Sequence, residues 1–124
     1  MKLNHVDTIL LVEDIQRSKC FYQDTLGLEV FHDWGSMVVF NDHLALHQAG
    51  LLQPQQEISK FIQPGEQGRG NVVIYLQSDD LEGCFQSLTQ AGVTVVHGIL
   101  KLPWERIFRI YDPDGYVIEI GEPH

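Results

Sequence analysis

A chain of 124 residues with 44% hydrophobic side chains can bury one core and is too short for two large ones. The 8 basic and 17 acidic side chains give a formal net charge of -9, which argues against nucleic acid as a partner. Cys20 and Cys84 have neither a CxxC spacing nor the density of a disulfide scaffold. His5 and Asp7 interrupt the apolar N-terminal stretch, and no run reaches membrane-spanning length. The expectation is a single domain in a reducing, cytoplasmic setting.

The first apolar run, residues 6–12, is short and β-branched and stops at Glu13-Asp14, where Asp14 can cap a helix. In that helix Ile15, Ser18, Tyr22 and Leu26 share one stripe with Phe21 beside it, and Gly27 stands where a left-handed cap would sit. Residues 28–31, 37–40 and 44–47 then read as strands separated by the turn signals Asp33-Trp34-Gly35 and Asn41-Asp42. Cys20 and Cys84 fall on helix faces that also carry Phe, and are expected to be small buried residues.

Residues 51–69 form a linker rich in Gln, Gly and Pro, with Ile58, Phe61 and Ile62 as anchors of a short helical turn. The pattern then restarts. Residues 72–76 read as a strand and Asp79 or Asp80 as a cap, while Leu81, Cys84, Phe85 and Leu88 make a helical stripe closed by Gly92. Strands follow at residues 93–96, 107–111 and 116–120, the last two joined by Asp112-Pro113-Asp114-Gly115. The offsets from Asp14 to Asp80 and from Gly27 to Gly92 are 66 and 65, as a duplicated unit requires. We therefore expect an α+β chain of two sequential βαβββ modules, residues 1–50 and 70–124, whose curved mixed sheets surround a shared cavity.

Val12-Glu13-Asp14-Ile15-Gln16-Arg17-Ser18 with Phe21-Tyr22 and Leu26-Gly27-Leu28, together with Tyr111-Asp112-Pro113-Asp114-Gly115-Tyr116-Val117-Ile118-Glu119, carry a resemblance. The chain resembles the vicinal oxygen chelate superfamily of glyoxalases, bleomycin resistance proteins and extradiol dioxygenases. The resemblance implies paired βαβββ sheets, a homodimer, and a cavity in which members often hold a divalent metal. Counting back seven from Asp14 reaches Asp7, where the family usually has His; the matching place in the second half is Val73, which cannot ligate. His5, two residues earlier on the same face, is a substitute. The last strands offer His47 and Glu119, of which Glu119 matches the family glutamate.

Strand alternation is an independent guide. Val72, Ile74 and Leu76 make a wholly apolar face that should meet a helix, as should Leu44 with Leu46, Phe108 with Ile110, and Ile118 with Ile120. Asn71, Val73, Tyr75 and Gln77, with Ala45, His47, Arg109, Val117 and Glu119, should then face the cavity.

Two function classes follow. In the first, Asp7, His47 and Glu119 hold Zn, Ni, Mn or Fe, which acts as a Lewis acid in a lyase, isomerase or transferase, and Glu119 is the catalytic residue. An apolar cavity would disfavour the ionised form of Glu119 and suit it to general acid or base work. In the second, a metal-free cavity sequesters a small molecule or drug. Arg109 anchors an anionic or carbonyl group, Tyr75 and Trp104 offer flat surface, and Gln77, His47 or Glu119 supplies hydrogen bonds. A structural ion pair between Arg109 and Glu119 is the plainer alternative. His32, His43 and His97 are expected on the solvated surface and His124 is terminal. No nucleophile elbow, phosphate loop or dinucleotide fingerprint is present, and a cysteine nucleophile is not expected.

Overall fold

A computed structural model describes residues 1–54 and 72–123. Most of the linker, with Ile58, Phe61 and Ile62, and also Asn71 and His124, lie outside the described residues. The chain divides into two compact units, Met1–Gly65 and Glu66–His124.

The first unit runs β1 (Thr8–Val12), α1 (Ile15–Cys20), a π-helical segment (Phe21–Thr25), β2 (Val30–Asp33), β3 (Met37–Phe40) and β4 (Leu44–Gln48), ending in a 3-10 turn at Ala49–Leu51. Its strands form one sheet in the order β1-β4-β3-β2, with β1 and β4 parallel and the other pairs antiparallel. The second unit repeats this plan with β5 (Val73–Gln77), α2 (Leu81–Gln90), β6 (Val95–Lys101), β7 (Arg106–Tyr111) and β8 (Val117–Gly121). Its sheet order, β5-β8-β7-β6, and its strand directions match those of the first. The duplicated βαβββ plan expected from the repeat is therefore the fold.

Each helix starts and stops on the residues the sequence marks. Asp14 accepts from the backbone N–H groups of Gln16 and Arg17 at 3.1 and 3.2 Å, and Asp80 from that of Gly83 at 3.1 Å. Gly27 and Gly92 close the two helical segments at φ +77° and +80°, conformations that other residues adopt only under strain. Gln48 adds a clamp: its side chain accepts from the Ile15 N–H at 2.8 Å and donates to the Glu13 carbonyl at 2.6 Å, tying β4 to the entry of α1.

The apolar face of each sheet meets its own helix. Val38, Phe40 and Leu46 are buried beneath the first helical segment, where Tyr22 lies 5.9 Å from Phe40. Phe108, Ile110, Ile118 and Ile120 are buried on the same side of the second sheet as α2, with the rings of Phe85 and Phe108 edge to face at 5.0 Å.

Several expected boundaries shift, three of them because a backbone N–H is spent elsewhere. The first helix does not stay α-helical to Leu26. After Cys20 it widens, Leu26 donating five residues back to Phe21, and this turn carries Tyr22 into the core. Leu28 donates to Tyr22 and Val93 to Leu88, so β2 and β6 begin only at Val30 and Val95. Strand β6 then continues to Lys101 through two register shifts, beyond the expected end at Val96. Cys20 corrects an expectation outright: it is exposed, because it lies two residues beyond Ser18 and off the buried stripe. Cys84 is half-buried, and desolvation raises its thiol pKa above the ordinary value, which disfavours the thiolate. No helix among the described residues is long and apolar enough to cross a membrane.

Phe108 carries the largest test of this packing. Phe108→Ala should destabilise the protein by roughly 3–5 kcal/mol in urea unfolding, while Asp80→Ala should cost only about 1 kcal/mol through the lost cap. Equal losses would contradict the assignment of Phe108 to the core.

Candidate functional site

The face of the second sheet turned away from α2 carries a row of chemistry-bearing side chains. Strand register places Tyr75 beside Glu119, Glu119 beside Arg109, and Arg109 beside His97, one residue from each of β5, β8, β7 and β6. Side chains of paired residues share a face, so alternation in the sequence and pairing in the sheet agree.

Arg109 and Glu119 form an ion pair in the middle of this row. The guanidinium Nε donates to Oε1 of Glu119 at 2.9 Å, and Nη2 lies 2.7 Å from the same oxygen. Nη1 donates to Nε2 of His97 at 3.0 Å, while Nδ1 of His97 lies 2.8 Å from the Gly98 carbonyl. A guanidinium only donates and a carbonyl only accepts, so both contacts select the neutral imidazole with its proton on Nδ1. His97, expected on the solvated surface, is instead half-buried and belongs to this row. The sequence held one signal for it: His32 and His97 are separated by 65 residues, the offset of the repeat itself.

A second string of hydrogen bonds crosses the same face. The Tyr75 hydroxyl donates to Oε2 of Glu105 at 2.7 Å and accepts from Gln77 Nε2 at 3.0 Å. Desolvation, together with the acceptor and charge of Glu105 and the charge of Glu119, holds the Tyr75 phenol above its ordinary range, against the Gln77 bond that favours ionisation. The bridge to Glu105 passes over Gly121. A Cβ at that position would lie 2.6 Å from Glu105 Oε2 and 3.0 Å from the Tyr75 hydroxyl, so a side chain there would push the Glu105 carboxylate out of its present position. Glu105 went unnoticed in the sequence because its reach depends on this close approach. Trp104, its neighbour in the β6–β7 turn, is 68% exposed.

The first unit arranges its candidates differently. Asp7 and His5 precede β1, and Nε2 of His5 lies 3.1 Å from the Thr8 hydroxyl. His47 pairs with Leu11 in the parallel register, whereas Asp7 is four positions earlier, a separation of about 13 Å along a strand. The register therefore does not bring Asp7 and His47 together. The same comparison shows that Glu119 and His47 are not equivalent. Tyr75, five residues before its helix cap, pairs with Glu119, and Ile9, five before the other cap, pairs with Ala45. In neither unit do three His, Cys, Asp or Glu side chains among the described residues gather as a metal would need. Near the outer strand of the first sheet, His32 stacks on Trp34 at 4.7 Å, and both are exposed.

The family model of the glyoxalase-like domain matches residues 5–124. The chain belongs to that family. The solved structure of a protein of unknown function from Agrobacterium tumefaciens str. C58 is 36% identical with a TM-score of 0.86, covering 100% of this chain and 97% of that one. The chain is also 27% identical to the glutathione transferase FosA of Serratia marcescens, over 95% of its own length and 78% of that protein's. A fold likeness extends to TnmS3, an antibiotic binding protein from Streptomyces sp. CB03234, at 24% identity, a TM-score of 0.71, and 100% and 99% of the two chains. Membership of the vicinal oxygen chelate superfamily, read from the two motif segments, is thereby shown.

Glu105→Gln removes from Tyr75 both a proton acceptor and a negative charge, each of which favours the neutral phenol. The titration of Tyr75 should therefore move to lower pH in this variant, measured by tyrosinate absorbance and assigned by its loss in Tyr75→Phe. An unmoved titration would show that Glu105 does not act on the hydroxyl.

Proposed function

We propose that this glyoxalase-like protein binds a small molecule on the open face of its second sheet and does so without a metal ion. The observation that carries the reading is the state of Glu119. A divalent ion at its Oε1 would stand against a guanidinium already in contact with that oxygen, and like charges at that distance repel strongly. Asp7 and His47 add nothing to compensate, since the register keeps them apart. Asp7, His47 and Glu119 therefore do not fit a shared metal ion.

In this reading Arg109 and Glu119 orient the ligand through hydrogen bonds, Tyr75 and Trp104 supply flat surface, and Gln77 holds the Tyr75 ring in place. Tyr75 and Trp104 are both exposed enough to be covered by a ligand. The shared fold with an antibiotic binding protein supports the class. The protein works as a homodimer in the cytoplasm. The second reading, a metal-assisted lyase, isomerase or transferase with Glu119 as catalytic residue, draws its support from the likeness to a glutathione transferase.

Metal analysis separates them. Protein purified without chelator should carry far less than one divalent ion per chain, and EDTA should leave its melting temperature unchanged. One equivalent of metal, a lower melting temperature with EDTA, and loss of that metal in Glu119→Gln would together establish the metalloenzyme instead.

A further inference from the structure

We propose, resting on the binding reading above, that the ligand class is an uncharged planar aromatic ketone and that the Arg109–Glu119 pair selects against anions. The guanidinium has five N–H donors. Its contacts with Glu119 and His97 engage three of them, on Nε, Nη2 and Nη1, leaving one N–H on each terminal nitrogen without a partner among the described residues. Two such donors suit a carbonyl oxygen, which accepts through two lone pairs.

Charge decides between a ketone and a carboxylate. An anion drawn to Arg109 would also meet Oε1 of Glu119, 2.7 Å from Nη2, so that attraction and repulsion largely cancel while the cost of desolvating the anion remains. Glu105 adds a second carboxylate to the same face. With His97 neutral, the face carries two carboxylates against one guanidinium, and the whole chain is at -9. A neutral carbonyl meets the free N–H groups without that penalty.

The surroundings call for a flat apolar body. Val73, Tyr75 and Tyr111 on the open face are between 38% and 52% exposed, and Leu100, paired with Ile107, flanks the row at 47%. The polar groups lie along one line through this surface, so a planar ring system with one carbonyl matches both features.

Three tricyclic probes of the same shape test the idea: fluorenone, fluorene without the carbonyl, and fluorenone carboxylate. Quenching of Trp104 fluorescence in the Trp34→Phe protein reports binding at the second unit, since the chain has 2 tryptophans. Fluorenone should bind about tenfold more tightly than either fluorene or the carboxylate. Glu119→Gln, checked for folding by its melting curve, should release Arg109 and improve the carboxylate by about tenfold. Equal binding of fluorenone and its carboxylate by the unaltered pair, or no gain in Glu119→Gln, would overturn the charge selection while leaving the binding face standing. Saturable quenching by none of the three would overturn the proposal and the site together.

Discussion

Glu119 and Arg109 stand opposite one another on neighbouring antiparallel strands, and their ion pair fixes the electrostatic character of the second sheet's open face. Both side chains are partly buried, at 18% and 30% exposure, so water screens the pair less than it would a surface contact. Oε1 of Glu119 takes two guanidinium contacts, and His97 takes a third. In the proposed binding reading, the guanidinium against Oε1 opposes a metal ion there, and the carboxylate offsets the charge that the guanidinium would offer an anion. What remains on offer is hydrogen bonding.

The two halves share a backbone plan and differ in what their open faces carry. At equivalent levels the first sheet presents Ile9, Ala45, Val39 and His32, and the second Tyr75, Glu119, Arg109 and His97. Only the outermost position keeps the same residue type in both. The polar chemistry has been concentrated in the second half, where the surrounding apolar side chains also remain exposed. Ion pairs away from this face fulfil a simpler role. Arg106, bridging Glu82 and Glu122, ties the start of α2 to β7 and to the residue after β8, and its hydrogen bonds, with a smaller part from its charge, lower the pKa of both carboxylates.

Features set by local chemistry were legible in the sequence, and features set by pairing were not. Asp14, Asp80, Gly27 and Gly92 act within one or two turns of chain, so the helices and their repeat could be read directly. Period-two alternation correctly sent Phe108, Ile110, Ile118 and Ile120 to the helix side. It also placed Arg109 and Glu119 on one face, where their contact was foreseen as the plainer alternative. Alternation gives the face of a residue and says nothing about its level along the neighbouring strand. That is why Asp7 and His47 looked compatible as ligands until the parallel register separated them. His97 was misjudged for a related reason: β6 runs five residues past its expected end, through bulges that turn-based reading takes for a loop.

Gly121 makes the same point at atomic scale. It occupies the level that His47 holds in the first half, one alternation beyond Glu119, as the pairings of Gln77 with Gly121 and Leu11 with His47 show. A side chain there would fill the space through which Glu105 reaches Tyr75. Where the first half carries an imidazole at this level, the second has a glycine with a hydrogen-bonded bridge passing over it across β8. That bridge anchors the β6–β7 turn, and with it Trp104, against the edge strand β5. An absent side chain thus helps to shape the polar row and its aromatic border, on which the proposed binding of a flat molecule rests.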